Sequence, residues 1–372
     1  MGTLLNKANE ILTEKTNKII PENIKEGVQI FDVTGTYGGG GSSEINLSTG
    51  IKFGFSTFSI LPSNINVDGV SDMSEMFRGC GGLTNINISS WDTSNVIDMS
   101  SMFQECYGLT DIDVSNWNTS SVDHMEYMFQ SCGSLANLNV NNWNISNVMY
   151  IDSMFQECYG LTNLNVSNWD TSNVTSMVSM FRDCSNLSNI DIANWNTSNV
   201  TSMSSMFSGC SNLIQLDIAN WNISKLNSTS SMFESCGNIT SLDVSNWDTS
   251  NVLDMYGMFM YCVSLTNIDV SNWNISNVTG MGSMFMGCSN LSNIDVFKWD
   301  INNVASMSSM FSGCYNLSNE SLNSILLMCA NCGMYGGERT LNGLGLSEDQ
   351  VNICVNLDSW SNAQNVGWTT GY

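Results

Sequence analysis

Residues 106–131 read CYGLTDIDVSNWNTSSVDHMEYMFQS, and the chain begins the same pattern again at Cys132. The pattern runs from Ser71 to Leu317, and its cysteine recurs every 26 residues at positions 80, 106, 132, 158, 184, 210, 236, 262, 288 and 314. A fixed period of this length, with apolar residues always in the same phase, indicates a unit that buries its apolar side by stacking on its neighbours. The sequence therefore predicts a solenoid of ten coils.

Each repeat has two halves with different apolar periods. Leu109, Ile112 and Val114 are separated by polar residues, which is typical of a short strand with one buried face. Residues 122–132 instead carry apolar side chains three and four positions apart, which predicts a helical or 3₁₀ segment with one buried stripe. We therefore expect an α/β solenoid that resembles the leucine-rich-repeat architecture, with a parallel β-sheet on one face and short helical or 3₁₀ segments on the other.

One phrase of the repeat has a closer resemblance. Residues 169–187 follow the pattern W-D-T-S-N-V-x-x-M-x-x-M-F-x-x-C-x-x-L, which is similar to the BspA-like leucine-rich repeats of bacterial surface proteins. The resemblance covers about two thirds of the chain. It implies a leucine-rich-repeat fold and a role in binding outside a cell, and it leaves the ligand open because a fold does not specify a function.

The two ends of the chain resemble a different class of protein. Residues 11–37 (ILTEKTNKIIPENIKEGVQIFDVTGTY) resemble a short module found in tail and other structural proteins of phages that infect low-GC bacteria, and residues 341–372 resemble the C-terminal segment of phage tail proteins. Residues 1–12 have the interrupted apolar pattern of an amphipathic helix and not the apolar run of a secretion signal. The resemblance implies a virion protein that binds other tail proteins through residues 1–37.

The composition divides the chain into five parts. Residues 1–37 form the predicted phage-type attachment module, residues 38–43 (GGGGSS) a flexible linker, and residues 44–70 an N-terminal β cap. Residues 71–317 form the leucine-rich-repeat solenoid, and residues 318–372 a C-terminal cap with helices expected near 318–328 and 347–357. We expect a chain that starts at Ser43 to fold and still to bind host cells.

The charge of the chain limits its partners. Ten Lys and Arg residues stand against 34 Asp and Glu residues, which gives a formal net charge of −24 at pH 7. This sign argues against a nucleic-acid phosphate partner and against an anionic membrane surface. The sequence has no run of 18 apolar residues, so we expect no membrane insertion.

A polar column on the predicted strands is the candidate binding site. Seven residues after each of the first nine repeat cysteines the chain has Asn or Asp, and the last five members are carboxylates: Asp191, Asp217, Asp243, Asp269 and Asp295. On neighbouring strands these side chains would lie about 4.8 Å apart and point away from the core. Because like charges at this spacing repel, the column is either a solvated face that was duplicated with the repeat or a site for a cationic or hydroxyl-rich ligand.

Other side chains carry less chemistry. His124 is the only histidine, and we expect it to be a surface variation, so no Ser-His-Asp or Cys-His arrangement is available. Cys329 and Cys332, with Cys354, supply three thiols without a nearby histidine, whereas a zinc site needs four ligands. We therefore predict no metal and no cofactor, and we interpret the repeat cysteines as small buried thiols.

A second polar column stands one residue before each tryptophan, as at Asn116 and Asn142. We expect its asparagines to bind the backbone of the next coil.

These observations favour a non-enzymatic receptor-binding protein of a phage virion, which recognises a glycan or protein of the host-cell surface through the solenoid. The alternative is a bacterial BspA-like surface adhesin that binds a host protein or glycan. An enzyme that acts on a surface glycan through paired carboxylates is a third class, and the sequence leaves the oligomeric state open.

Overall fold

The computed structural model describes residues 65–331 and 339–371, together with residues 29–30, 33–34 and 45–46. The expected helix at 1–12, the linker at 38–43 and most of the segments 1–37 and 44–70 lie outside the described residues. So does Cys332. None of the described helices is long and apolar enough to cross a membrane.

The strands are short and form pairs. β1 (Gln29–Ile30) and β2 (Val33–Thr34) are antiparallel, whereas β3 (Ile45–Asn46) and β4 (Ile65–Asn66) are parallel. Within the repeats, β5 (Asn85–Ile86) pairs in parallel with β6 (Asp111–Ile112), and β7 (Asn163–Leu164) with β8 (Asn189–Ile190). The paired residues of the repeats are 26 apart, so the predicted parallel face of a leucine-rich-repeat-like solenoid is confirmed.

A second parallel ladder joins all the coils on the opposite half of the repeat. It has one bridging residue per coil, each 26 residues from the next: Asp72, Asp98, His124, Tyr150, Ser176, Ser202, Ser228, Asp254, Gly280 and Ser306. This ladder has ten members, which confirms the ten coils.

The half of the repeat that carries this ladder differs from the sequence prediction. The N–H groups of Ser101 and Phe103 donate to the carbonyl oxygens of Glu126 and Met128 in the next coil, both at 2.8 Å, whereas Met102 donates back within its own coil. Alternate N–H groups thus bind within and between coils. A helix would use all of them internally, so the segment is a series of turns and not a helical or 3₁₀ segment.

The backbone angles explain why no helix forms here. Ser101 and Glu105 have φ of 55° and 63°, in the left-handed region, and the equivalent residues of the other coils repeat this conformation. A right-handed helix cannot contain such residues. We call one segment of each coil the turn face. It begins one residue after the repeated valine, as at Asp123 after Val122, and ends one residue after the cysteine, as at Gly133 after Cys132. The half of the repeat that contains β5 to β8 is the strand face.

The core is a set of columns of identical side chains. Trp117 and Trp143 stack with ring centroids 6.3 Å apart and planes 2° apart, and Phe103 and Phe129 stack at 5.4 Å. The thiol of Cys132 is buried and donates to the carbonyl oxygen of Phe103 at 3.1 Å. All ten repeat cysteines are buried, which confirms the interpretation of packed thiols.

Asparagines do bind the neighbouring coil, but in a different column from the one expected. The column before the tryptophans is exposed. Its member Asn168 donates to the side-chain oxygen of Asn141 in the preceding coil, and not to the backbone. The bonds come instead from the asparagines just before the conserved valines, as when Asn147 Nδ2 donates to the carbonyl oxygen of Ser120 at 2.8 Å. These asparagines lie where the chain turns, within reach of an unpaired carbonyl.

Three helices close the C-terminal end. They are α1 (Asn319–Ala330), α2 (Glu348–Cys354) and α3 (Trp360–Asn365). Ser318 caps α1, and Ser347 forms a capping box with Gln350 at the start of α2, so the first two helices confirm the predicted ones. Gln350 also donates to the carbonyl oxygen of Cys314 at 2.7 Å, which ties α2 to the last coil.

Candidate functional site

The structure places all five members of the acidic column on the strand face. Asp191, Asp217, Asp243, Asp269 and Asp295 are exposed, and each lies between two buried aliphatic residues. The predicted orientation away from the core is therefore correct. Whether the column binds a ligand is a separate question, which depends on what its oxygens already bind.

Most of these carboxylates hold a local turn. Oδ1 of Asp243 accepts the N–H of Ser245 at 3.2 Å and its hydroxyl at 2.7 Å, and Asp269 does the same with Ser271 at 3.1 and 2.7 Å. Such Asx turns need Asp or Asn followed two residues later by a free N–H. The spacing was visible in the sequence, and it explains why asparagine replaces aspartate in earlier coils, as at Asn165.

The turn bonds lower the pKa of the column carboxyl groups where a shift is resolved. The hydroxyl of Ser271, followed by its N–H, lowers the pKa of Asp269, and a weaker contribution comes from Lys298. The hydroxyl and the N–H of Ser115 lower the pKa of Asp113 in an earlier coil in the same way. These groups are carboxylates at neutral pH and offer their other oxygen to a ligand.

The last two members of the column border a cleft. Its volume is about 590 Å³, and it lies between the last two segments of the strand face, at residues 267–271 and 293–297, and helix α1. Polar groups come from Asp269, Asp295 and Glu320, and apolar wall from Phe297 and Leu327. The cleft therefore combines carboxylates with an aromatic and an aliphatic surface.

Helix α1 shapes the cleft by replacing the strand that a further coil would supply. The hydroxyls of Ser321 and Ser324 accept the N–H groups of Ile294 and Val296 at 3.0 and 2.7 Å. Ser324 also donates to Oδ1 of Asp295 at 2.7 Å. The last carboxylate of the column is therefore held by the helix as well as by its own turn.

Sequence reasoning missed the residues that make this cleft. Glu320 and Leu327 come from α1, whose packing on the strand edge the repeat pattern does not contain. Phe297 had a signal, because the equivalent position holds serine or alanine in most coils, for example Ser271 and Ala193. An aromatic residue at an exposed position of a repeat indicates a local use of that position.

His124 differs from the expectation of a simple surface variation. It lies in the turn-face ladder, and its Nδ1 is 2.6 Å from Oδ1 of Asp123. This bond to Asp123 raises the pKa of His124. Glu126, two residues after His124, is half-buried. Burial raises the pKa of its carboxyl group, and the charges of Asp98 and Asp152 raise it further.

In the residues that the structure describes, no group of three or more His, Cys, Asp or Glu side chains is arranged to hold a metal ion. Cys329 and Cys354 are both buried. The exposed carboxylate oxygens of the acidic column can accept hydrogen bonds from hydroxyl and ammonium groups.

One family model matches the chain. It is described as "Mycoplasma protein of unknown function, DUF285", and it matches three times, over residues 51–163, 151–242 and 228–325. The three matches together span residues 51–325, which is more than half of the chain. No curated protein matches the chain.

Several solved structures are similar to this chain. A leucine-rich repeat protein from Bacteroides ovatus is 18% identical with a TM-score of 0.41, over 70% of this chain and 67% of that one. A leucine-rich repeat protein from Eubacterium ventriosum is 16% identical with a TM-score of 0.31, over 70% and 82% of the two chains. One from T. pallidum is 15% identical with a TM-score of 0.26, over 77% and 87%. The chain spans between 38% and 40% of three longer chains that it matches.

Proposed function

Since this chain belongs to the DUF285 family, described as Mycoplasma proteins of unknown function, we propose that it is a non-enzymatic binding protein for a ligand on a cell surface. The strand face recognises the ligand, which is a glycan or a protein of the host cell. The acidic column Asp191, Asp217, Asp243, Asp269 and Asp295 supplies the polar contacts.

The observation that carries this proposal is the cleft at the end of the acidic column. The carboxylates of Asp269, Asp295 and Glu320 can accept hydrogen bonds from hydroxyl or ammonium groups, and Phe297 can contact an apolar part of the ligand. Ligand sites in proteins are concave and combine apolar walls with a few convergent polar groups. The column extends the cleft along the strand face, which suits a long ligand such as a polysaccharide.

The carboxylates fit binding better than catalysis. A general acid needs a carboxyl group with a raised pKa, whereas the bonds from Ser271 lower the pKa of Asp269. Oδ1 of Asp295 already accepts a hydrogen bond from the hydroxyl of Ser324. We therefore propose recognition without a reaction.

We propose a phage virion as the location, on the resemblance of residues 11–37 and 341–372 to phage tail proteins. In this arrangement residues 1–37 bind tail proteins and the solenoid projects toward the host. The alternative is a bacterial surface adhesin, and the family description favours it because Mycoplasma is a bacterium. Mass spectrometry of purified phage particles and of a bacterial surface fraction distinguishes the two: the chain should be found in the particles.

The binding experiment replaces three adjacent carboxylates by amides. The triple variant Asp217→Asn, Asp243→Asn and Asp269→Asn removes three charges, and Asn can still accept the turn N–H. We expect adsorption of the purified protein to host cells to fall tenfold or more, equivalent to about 1.4 kcal/mol. Circular dichroism should show an intact fold.

A second triple variant is the matched control. Asp92, Asp170 and Asp248 are exposed, form the same Asx turns with Ser94, Ser172 and Ser250, and lie one residue after the tryptophans, outside the column. Their replacement by Asn changes the net charge equally and should leave adsorption unchanged. If both triple variants adsorb like the wild type, the acidic column is a solvated face and the site assignment fails.

A further inference from the structure

Among the described coils, one exposes the most large apolar side chains on its turn face. Residues 253–263 expose four large apolar side chains, whereas the neighbouring coils mostly carry serine, glycine, threonine or acidic residues there. We call the group Leu253, Tyr256, Met260, Tyr261 and Val263 the tyrosine patch. Tyr256 and Tyr261 are 47% and 44% exposed, so about half of each ring surface is available to a partner.

The next coil has glycine next to both rings, and at Gly287 the ring leaves no room for a side chain. Tyr256 and Gly282 are equivalent residues of adjacent coils, and a Cβ placed on Gly282 would lie 3.5 Å from Cδ2 of Tyr256. A Cβ placed on Gly287 would overlap the ring of Tyr261. Both tyrosines therefore lie over glycine backbone, which supports them from below and leaves their outer surface open.

The patch is continuous across two coils. The N–H of Tyr261 donates to the carbonyl oxygen of Met286 at 2.6 Å, and the N–H of Gly257 donates to the carbonyl oxygen of Gly282 at 3.0 Å. Because this ladder places equivalent residues side by side, the half-buried Met286 extends the patch next to Met260. The rings and the methionines therefore lie on neighbouring, hydrogen-bonded segments of the turn face.

Tyr261 has a left-handed backbone conformation, as do the equivalent residues of the other coils. Its φ is 59°, and the equivalent positions 209, 287 and 313 are glycine. Other coils adopt the same angle without glycine, as at Glu105 and Ser235, so the exposed ring, and not the backbone conformation, distinguishes this coil.

The composition and the charge of the patch indicate its partner. Tyrosine and methionine are enriched in the cores of protein interfaces, whereas lysine, glutamate, aspartate and serine are depleted there. Asp254 lies in the turn segment of the patch, Glu234 lies in the turn segment of the preceding coil at the position equivalent to Met260, and the chain has no Lys or Arg between residues 226 and 297. A partner with basic side chains would therefore meet complementary charge and no repulsion.

We propose that the tyrosine patch docks a protein segment that presents aliphatic side chains next to Lys or Arg. The aliphatic groups pack on Leu253, Val263 and the methionines, and the cations lie over the tyrosine rings or bind the carboxylates. A glycan would leave Leu253 and Val263 without suitable contacts, since neither offers a hydrogen-bonding group. A second copy of this chain, with its net charge of −24, would be repelled.

The test uses the full chain and two labelled octapeptides, one of alternating Leu and Lys and one of alternating Ser and Lys. Binding is measured by fluorescence anisotropy at physiological salt, which screens charges beyond about 8 Å. The variant Tyr256→Ser with Tyr261→Ser removes the rings, and serine is the residue of several equivalent coils, such as Ser204 and Ser235. We expect the leucine peptide to bind the wild type at least tenfold more tightly than this variant.

The matched control is Tyr107→Ser with Tyr159→Ser, which removes two exposed rings that lie over Gly81 and Gly133 on other coils. It should bind the leucine peptide like the wild type. Equal binding of the serine peptide would mean charge attraction alone, and equal loss in both double variants would mean a non-specific surface; either result overturns the proposal. If a glucosamine hexamer displaces the leucine peptide from the patch, the site is a glycan site and the assignment to a protein partner is wrong.

Discussion

At the scale of single residues, Thr229 stands out in the core. Its position holds methionine or isoleucine in the other coils, for example Met203 and Met255 on either side. Thr229 is 1% exposed, and its hydroxyl has no hydrogen-bond partner. A buried unpaired hydroxyl is unfavourable, so this coil is less stable than its neighbours.

The variant Thr229→Met should therefore raise the free energy of unfolding, by about 1–3 kcal/mol from the hydroxyl alone. The column offers room for the longer side chain because methionine occupies it in adjacent coils. Denaturant unfolding measures the change. The control is Thr119→Val, which removes the bond from Oγ1 of Thr119 to the carbonyl oxygen of Asn144 at 3.0 Å and should destabilise; destabilisation of both variants would contradict the explanation.

Glu126 gives a second prediction, which depends on pH. Burial raises its pKa above the ordinary value of 4.5, and Asp98 and Asp152 add to the effect. The folded state therefore binds the proton more tightly than the unfolded state, and stability falls as the pH rises through the pKa of the folded protein. Below 4.5 both states are protonated and the difference disappears.

The variant Glu126→Gln should raise the melting temperature at pH 8 by about 1–2 °C, and the gain should fade as the pH falls toward 4. Thermal unfolding followed by circular dichroism at several pH values measures this. Asp111→Asn removes one charge from an exposed position and serves as the control, because it should not show the same pH dependence. A gain that stays constant between pH 4 and 8 would rule out the role of the carboxyl group.

At the scale of elements, the open edge of the strand face at residues 293–296 decides how the solenoid ends. A strand edge left open exposes unpaired N–H groups, and here the hydroxyls of Ser321 and Ser324 accept two of them. Both serines are buried in the face of α1 that covers the final coil. The helix thus closes the ladder and forms one wall of the cleft at the same time.

The variant Ser321→Ala with Ser324→Ala should leave the N–H groups of Ile294 and Val296 without acceptors, at about 1–3 kcal/mol for each group. Hydrogen exchange should then become faster at these two amides, and the unfolding midpoint should fall. Ser361→Ala, at an exposed position of α3, is the control. Unchanged protection of both amides would show that another group takes over.

At the scale of the whole molecule, each coil contacts little besides its two neighbours. The turn-face ladder joins residues 26 apart through all ten coils, and the tryptophans stack in the same register, as do Trp169 and Trp195 with 6.3 Å between centroids. In such an array stability is close to a sum over units and interfaces. The molecule should therefore tolerate the loss of one complete coil.

Deletion of residues 185–210 removes 26 residues and joins Cys184 to Ser211 in the same phase. The shortened chain should fold, remain soluble and lose about 5 Å of length, which small-angle scattering can measure. Deletion of residues 185–197 is the control, since half a repeat brings turn residues against strand residues. If both deletions unfold the protein, stacking of equivalent columns is not what holds it together.

The 26-residue period determined the solenoid, the number of coils and the core columns, because identical units can bury identical apolar faces only by stacking in register. The acidic column was also predictable as an exposed row, since its position alternates with buried Ile and Val. The conformation of the turn face was not predictable, because the three- and four-residue spacing of its buried side chains, such as Met99, Met102 and Cys106, fits both a helix and a series of turns. The backbone forms turns because alternate N–H groups find acceptors in the next coil. The cleft and the tyrosine patch also belong to the tertiary structure. They form where α1 meets the strand edge and where Tyr261 meets Gly287, contacts between segments that no single repeat contains.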